Sequence, residues 1–519
     1  MHIAKCFGIP LSRFVAPIAE PAQRHRLLSI HVTVAGRDDD ANHMVVVQAG
    51  QQYIPYEAFP NQRMDMTSNK GLFLNGHYVG EFSWGKVDLR AYGQEVKHQM
   101  DFLPEKYSGM FMPMNTIGTD AGYALKVEVP LNDRDTLRVG NDFHFYKLTD
   151  WWPGVMRMAG SMGPNDFYNI NNGQRQQLGV FGEWERKWTP EWTSLLGVRS
   201  DAVWSSADPV QGYAPINKSG TTYLNYLYDA NRFNAAERAK ADLNFDATAL
   251  VRFEPNPTSL YEAGYARKSR SPNLYERYTW SSGAMASTMI GWFGDGNGYI
   301  GNINLRPEVA HTASVSAGWH DAERKTWEVK ISPYYTFVED YIGVKKTADL
   351  TAGFVQMRFV NQEAQFYGVD LSGRVALWDS PTYGQTEFSG VAGWVHGETT
   401  GDANGVYHLM PANARLALSQ KLDGWSGAIE VQLVSDKDTA DNLRKELQTP
   451  GYALLNLRAG YDWKQTVRVD VGVENVFDTK YYLPQGGVSY GDYKLSNSTT
   501  VIGVPGPGRS FLAGLTVKF

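Results

Sequence analysis

The chain has 519 residues, a net charge of −6, an aromatic content of 13% and a mean hydropathy of −0.38. It contains no stretch of 18 apolar residues, which excludes a helical membrane span. The acidic balance offers nucleic acid no basic surface, and the single cysteine, Cys6, excludes a disulfide framework or a thiolate cluster.

The N-terminal stretch Met1 to Pro21 carries Lys5, but Pro10 and Arg13 interrupt its apolar run, so it lacks the pattern of a secretory leader. Residues 22–43 are charged and irregular around Arg37-Asp-Asp-Asp40. Residues 1–43 are therefore set apart as an atypical segment, with about the first forty expected to come from a displaced start or a frameshift, and residues 44–519 are read as one domain.

From Met44 onward, alternating segments follow one another. They include Gly85-Lys-Val-Asp-Leu-Arg-Ala-Tyr92, Tyr123-Ala-Leu-Lys-Val-Glu-Val129, Trp327-Glu-Val-Lys-Ile331 and Val467-Arg-Val-Asp-Val-Gly-Val473. Period-two alternation puts Val467, Val469, Val471 and Val473 on one face of a strand and Arg468 and Asp470 on the other. The last strand, from Arg509, alternates in the same way and ends on Phe519. Apolar residues outward, charged residues inward and an aromatic at the interface suit a barrel with lipid outside and water inside.

Short connections at 130–135, 255–258 and 462–466 contrast with long ones at 148–177, 205–243, 271–303, 434–450 and 475–508. The short set is read as periplasmic and the long set as extracellular. At roughly ten residues per strand, the expected fold is all-β: a transmembrane antiparallel β-barrel of about 18–22 strands with long extracellular loops. A soluble sandwich or propeller also alternates, but the repeated Trp and Tyr near segment ends and the lack of a sequence repeat favour the membrane barrel.

Methionines recur two apart: Met64 and Met66, Met110, Met112 and Met114, Met156 and Met158, with Met162 nearby and His98-Gln-Met100 between them. Alternate strand residues share a face, so His98 and Met100 point the same way, and thioether with imidazole suits a soft ion such as Cu(I). The alternative is that methionine fills irregular gaps beneath loops. No catalytic constellation occurs: there is no Gly-x-Ser-x-Gly elbow, no His-Glu-x-x-His and no phosphate-cradling glycine loop, so no enzymatic activity is expected. Gly294-Asp-Gly-Asn-Gly298 lacks the ligand spacing of a calcium loop and reads as a flexible turn.

Three stretches are more specific. Tyr261-Glu-Ala-Gly-Tyr-Ala-Arg-Lys-Ser-Arg-Ser-Pro-Asn-Leu-Tyr-Glu-Arg-Tyr278 enters a long loop, and Gly301-Asn-Ile-Asn-Leu-Arg-Pro-Glu308 returns from it. Val471-Gly-Val-Glu-Asn-Val-Phe-Asp478, with Tyr481, Tyr482 and Pro507-Gly-Arg509, precedes the terminal strand. With Phe519, these resemble the barrel of TonB-dependent outer-membrane receptors, over about Met44 to Phe519.

The resemblance implies an outer-membrane importer of metal chelates or similar scarce solutes, with lipid as its surroundings and no nucleic-acid partner. Family members resemble a 22-stranded barrel filled by an N-terminal plug, preceded by a box that the TonB-type energy transducer pulls. Nothing before Met44 resembles plug or box, so coupling to TonB is expected only if a plug is supplied. The alternative is a truncated, plug-less passive pore or an inert remnant. His98-x-Met100 also resembles a barrel-side ligand pair of the copper-binding branch, in which a Cys and a Met of the plug complete the set.

The metal candidates are His98, Met100, Met110, Met112 and Met114. The substrate-contact candidates are Trp151, Trp152, Tyr168, Trp280, Trp292 and Phe293 in long loops, with Arg267, Lys268 and Arg270 as cations for an anionic chelate. The aromatics equally serve as loop braces, and the cations as partners of neighbouring carboxylates. No resident cofactor is expected; a copper ion or a metal chelate would be cargo.

Overall fold

Strand accounts for 64% of the chain and helix for 6% in this computed structural model. The structure describes residues 28–37, 42–102, 106, 111–155, 162–213, 221–291, 293–401, 405–464, 466–495 and 500–517. Nineteen strands form an antiparallel meander in which each pairs with the next. The first ten are β1 (Leu28–Arg37), β2 (His43–Ile54), β3 (Asp65–Phe82), β4 (Gly85–Asp101), β5 (Met114–Pro130), β6 (Asp135–Trp152), β7 (Phe167–Lys187), β8 (Trp192–Ser206), β9 (Lys240–Asn256) and β10 (Ser259–Arg270).

The meander resumes with β12 (Glu308–His320), β13 (Trp327–Asp349), β14 (Val355–Ser380), β15 (Gly384–Thr399) and β16 (Asn413–Leu422). It ends with β17 (Trp425–Val434), β18 (Tyr452–Trp463), β19 (Val467–Glu474) and β20 (Ser510–Val517). Between them, three-residue β11 (Gly298–Ile300) lies in a loop and pairs parallel with β14. Among the described residues, β1 pairs only with β2 and β20 only with β19. Phe519 lies outside the described residues.

Two expected boundaries move. Strand β1, with Leu28, Ile30, Val32 and Val34 in alternation, and the start of β2 at His43 fall inside the segment set apart as 1–43. Residues 148–152 and 167–177, read as loop, are the ends of β6 and β7.

Cross-strand rows confirm the two-faced wall. The row Leu418–Ile429–Leu457–Val473–Phe511 runs across five strands, all apolar and on the outward side. Inward residues are ion-paired: Arg138 binds Glu128, Glu183 and Glu185, each at 2.8 Å, and Arg199 binds Asp142 at 2.6 Å and Asp201 at 2.7 Å. Arg374 holds Glu328 at 2.8 Å and Glu387 at 3.3 Å. Water in the lumen tolerates such pairs, whereas lipid does not.

One end carries the short turns, and there Trp84, Trp188, Trp192, Trp319, Trp327, Trp378, Trp425 and Trp463 all stand exposed within a few residues of a turn. Such a ring of indoles marks a membrane–water interface.

The opposite end carries the long loops, which pack on one another. The connection after β8 holds α1 (Thr221–Ala235); the one after β10 holds α2 (Leu274–Tyr278) and α3 (Ala284–Thr288); the one after β19 holds α4 (Tyr490–Leu495). Asn273 caps α2 in a capping box with Glu276, so Pro272-Asn273 ends β10 and starts the helix. Asn475 exchanges hydrogen bonds with Thr479, at 2.8 and 2.9 Å, and Asp478 accepts from the backbone of Arg509 at 2.8 Å; these bonds lock the last long loop to its return strand. The Gly294–Gly298 turn is packed inside this end. Gly296 adopts φ +73°, and a Cβ there would meet the Phe354 ring at 2.4 Å.

Candidate methionine-lined site at the long-loop end

Register brings together residues that sequence spacing leaves apart. Met66 of β3 faces Met100 of β4, and Met100 faces Met114 of β5, so three thioethers form one row across three strands. A bulge at Thr67 shifts the register, so that Met66 aligns with the inward Met100. The next inward residue of β4 is His98, opposite Thr116, which in turn faces Asp150 of β6. His98 makes no hydrogen bond among the described residues, and its imidazole is half-buried.

Above this row lies an apolar cluster containing Met64, Met112 and Met162 in full burial, with Met100, Met114, Met285 and Met289 packed against it. Thus Met100, Met112 and Met114 gather in one place with His98 on the adjoining row, while Met110 lies outside the described residues.

The candidate aromatics divide. Trp152 is fully buried and stacks on Phe167 at 4.5 Å, and Phe167 stacks in turn on Trp280 at 5.0 Å, giving a three-ring sandwich in the same cluster. Trp151 and Tyr168 are register partners on the opposite side of the β6–β7 pair, and the Tyr168 carbonyl accepts from the Trp280 indole at 2.9 Å. All of β6's Trp151 and Trp152 and β7's Tyr168 are strand residues, not loop residues. Phe293 belongs to a second cluster, 4.6 Å from Tyr299, and Trp292 lies outside the described residues.

The candidate cations divide by parity. Lys268 and Arg270 share the inward side with Glu262, whereas Arg267 shares the outward side with Tyr261 and Tyr265 and donates to the Phe245 carbonyl. Arg267 is therefore corrected: it does not face the lumen. Arg270 is held by Glu308 at 2.6 Å and Glu276 at 3.0 Å, and Lys268 stands 3.5 Å from Asp246.

Two features escaped the sequence. Asp150 is buried, accepts from Asn169 at 2.7 Å and from Tyr275 at 3.3 Å, and leaves Oδ1 without a partner among the described residues. Arg444, in the loop after β17, is buried with Asp441 at 2.6 Å and the Tyr299 hydroxyl at 3.2 Å, and lies 5.3 Å over Phe293 and 5.2 Å over Tyr407. Burial raises the Asp295 carboxyl, which accepts from that same Tyr299 hydroxyl. Neither sequence neighbourhood shows periodicity or a motif, so only the fold assembles the cluster.

Several known proteins share this architecture. The solved copper transporter OprC superposes with a TM-score of 0.76 at 17% identity, covering 95% of this chain and 74% of that one. The unliganded ferric citrate transporter FecA gives 0.67 at 13%, covering 96% and 71%, and the ferric-catecholate import receptor Fiu from K12 E. coli gives 0.65 at 12%, covering 97% and 76%. At these identities the likeness concerns the fold.

By sequence, the heme/hemopexin utilization protein C of Haemophilus influenzae (strain 86-028NP) is 27% identical over 243 residues, 43% of this chain and 32% of that relative. The matched chain thus spans about a third of the relative's length. The family described as TonB dependent receptor-like, beta-barrel matches residues 25–476, taking in β1 through β19. That match covers most of the described strands, and the chain belongs to the TonB-dependent receptor-like β-barrel family.

Proposed function

We propose that this chain is the barrel of an outer-membrane import receptor for a metal ion or metal chelate, energised through a TonB-type transducer where a plug is supplied. The observation that carries the metal cargo is the inward Met66–Met100–Met114 row with His98 on the adjoining row. Thioethers bind soft, low-valent ions, an imidazole adds a stronger donor, and a buried apolar surround excludes competing water. Copper in its reduced state suits this donor set best. The OprC likeness agrees in fold, and the relatives named for ferric chelates and heme keep a chelated cargo as the second reading.

The outward apolar rows and the indole ring at the short-turn end support an outer-membrane location. Trp151 and Tyr168 lie on the outward side of the β6–β7 pair and so, like Arg267, do not line the lumen, while Trp152, Trp280 and Phe293 act by holding the loops in place. A passive pore would need no donor row.

The test is a titration of the folded full chain with Cu(I) against a competing chromophoric chelator, repeated with His98→Ala and Met100→Leu. Each substitution is expected to weaken binding by tenfold or more, and equal binding in all three proteins would refute the metal reading.

A further inference from the structure

The inward wall beneath α2 holds a guanidinium with no counter-ion among the described residues. Arg175 of β7 faces Tyr146 of β6 and Ser205 of β8. Leu178 and Val180 are exposed on the outward side, so Arg175 shares the inward side with Gln177, whose amide donates to Asp201 at 2.8 Å. The neighbouring inward guanidiniums are all engaged. Arg199 is held by Asp142 and Asp201, Arg270 by Glu276 and Glu308, and Arg277 by Asp242 at 2.8 Å and the Ser205 hydroxyl at 2.7 Å. Arg175 is half-buried and makes no hydrogen bond or ion pair among the described residues.

It also feels the positive charges of Arg270 and Arg277, while the carboxylates within reach, Asp242 and Asp201, are already gripped by other arginines. A partly desolvated cation beside two more cations is unfavourable until an anion arrives. The planar fork of a guanidinium suits two oxygens of a carboxylate or phosphate.

We infer that Arg175, flanked by Arg270 and Arg277, is an oxyanion site for an anionic cargo inside the barrel. The inference rests on the import reading and adds to it the charge class of the cargo: the metal travels with a carboxylate- or phosphate-bearing carrier. Arg175 receives the carrier's oxygens, whereas the donor row at His98 and Met100 concerns the metal itself.

The test uses the folded full chain in detergent, without metal, titrated with citrate and separately with inorganic phosphate by calorimetry. Saturable binding is expected for at least one anion, and the stronger of the two names the oxyanion. Arg175→Gln is expected to weaken it at least tenfold, or about 1.4 kcal/mol. Arg175→Lys, which keeps the charge and loses the fork, should fall between. Arg374→Gln, which removes an inward arginine already held by Glu328 and Glu387, should bind like the parent.

Identical titrations for the parent and Arg175→Gln would overturn the site, as would a parent that binds neither anion. If Arg175→Gln does not fold, a parent-like Arg175→Lys overturns the claim that the fork is used. A parent that binds Cu(I) but neither anion sinks this site and leaves import standing. Anion binding without metal binding does the reverse.

Discussion

Protonating His408 is expected to loosen the packed loops at the outer end. Its imidazole stacks on Tyr407 with ring centroids 3.8 Å apart, and its buried Nε2 has no hydrogen-bond partner among the described residues. Its backbone N–H donates to Glu446 at 3.0 Å, and Glu446 also takes the buried Lys437 ammonium at 2.5 Å. Lys437, Glu446, Arg444 and Asp441, all from the loop after β17, are the charges around it.

Burial first, then the positive Lys437 and Arg444, push the imidazole down to about 4. In an opened loop the same group would titrate near about 6.5. The opened state therefore binds a proton between these values while the packed state does not. The stabilisation is present in full above about pH 6.5, falls as the pH drops, and is lost by about pH 4. A difference of about 2.5 pKa units corresponds to roughly 3 kcal/mol of loop stability.

Hydrogen exchange of residues 405–412 and 435–451, measured from pH 7.5 down to 4.5, reads this directly. Protection should collapse steeply in the parent and much less in His408→Gln, which cannot take up the proton. Parallel loss of protection in the two proteins would refute the assignment to His408.

Two further substitutions separate the wall from the loops. Val180→Arg places a charge on the outward face of β7 and should cost about 2–4 kcal/mol of barrel stability if that face meets the bilayer core; unfolding from liposomes by denaturant measures it, and an unchanged midpoint would place Val180 outside lipid. Arg444→Ala strands Asp441 and removes the cation over Phe293 and Tyr407, so the outer loops should lose about 3–5 kcal/mol while the strands stay intact. Rapid protease cleavage in residues 435–451 with an unaltered strand signal in circular dichroism is the expected signature.

The sequence disclosed the wall better than the site. Alternation such as Val467 to Val473 is legible because lipid and water impose opposite chemistry on successive residues, and the short turns after Pro130 and Asn256 interrupt it cleanly. Legibility fails where a strand rises beyond the apolar belt. The start of β7, Asn169-Ile-Asn-Asn-Gly-Gln-Arg175, is polar on both faces and so resembles a loop. β1 alternates plainly but adjoins the charged Arg37-Asp-Asp-Asp40, which masks it in a reading by composition.

Periodicity tells which face a residue occupies and says nothing of its cross-strand neighbour. His98 and Met100 could be paired from spacing, but Met66 and Met114 join them only through register, including a bulge that no motif announces. Parity along β10, whose expected end at residue 270 matches the observed one, separates Arg267 from Lys268 and Arg270. Trp152, Trp280 and Phe293 turned out to lie inside packed clusters because the long loops fold against each other and not into water.

Metal content of cells tests the import proposal most directly. A host stripped of its own outer-membrane copper receptors, grown under copper limitation, should accumulate more copper when it carries the full chain with its plug supplied. The gain should vanish with His98→Ala/Met100→Leu and when the proton gradient is collapsed. Equal copper in cells carrying the parent and the double variant, insensitive to the gradient, would contradict selective import and leave a barrel that passes solutes without recognising them.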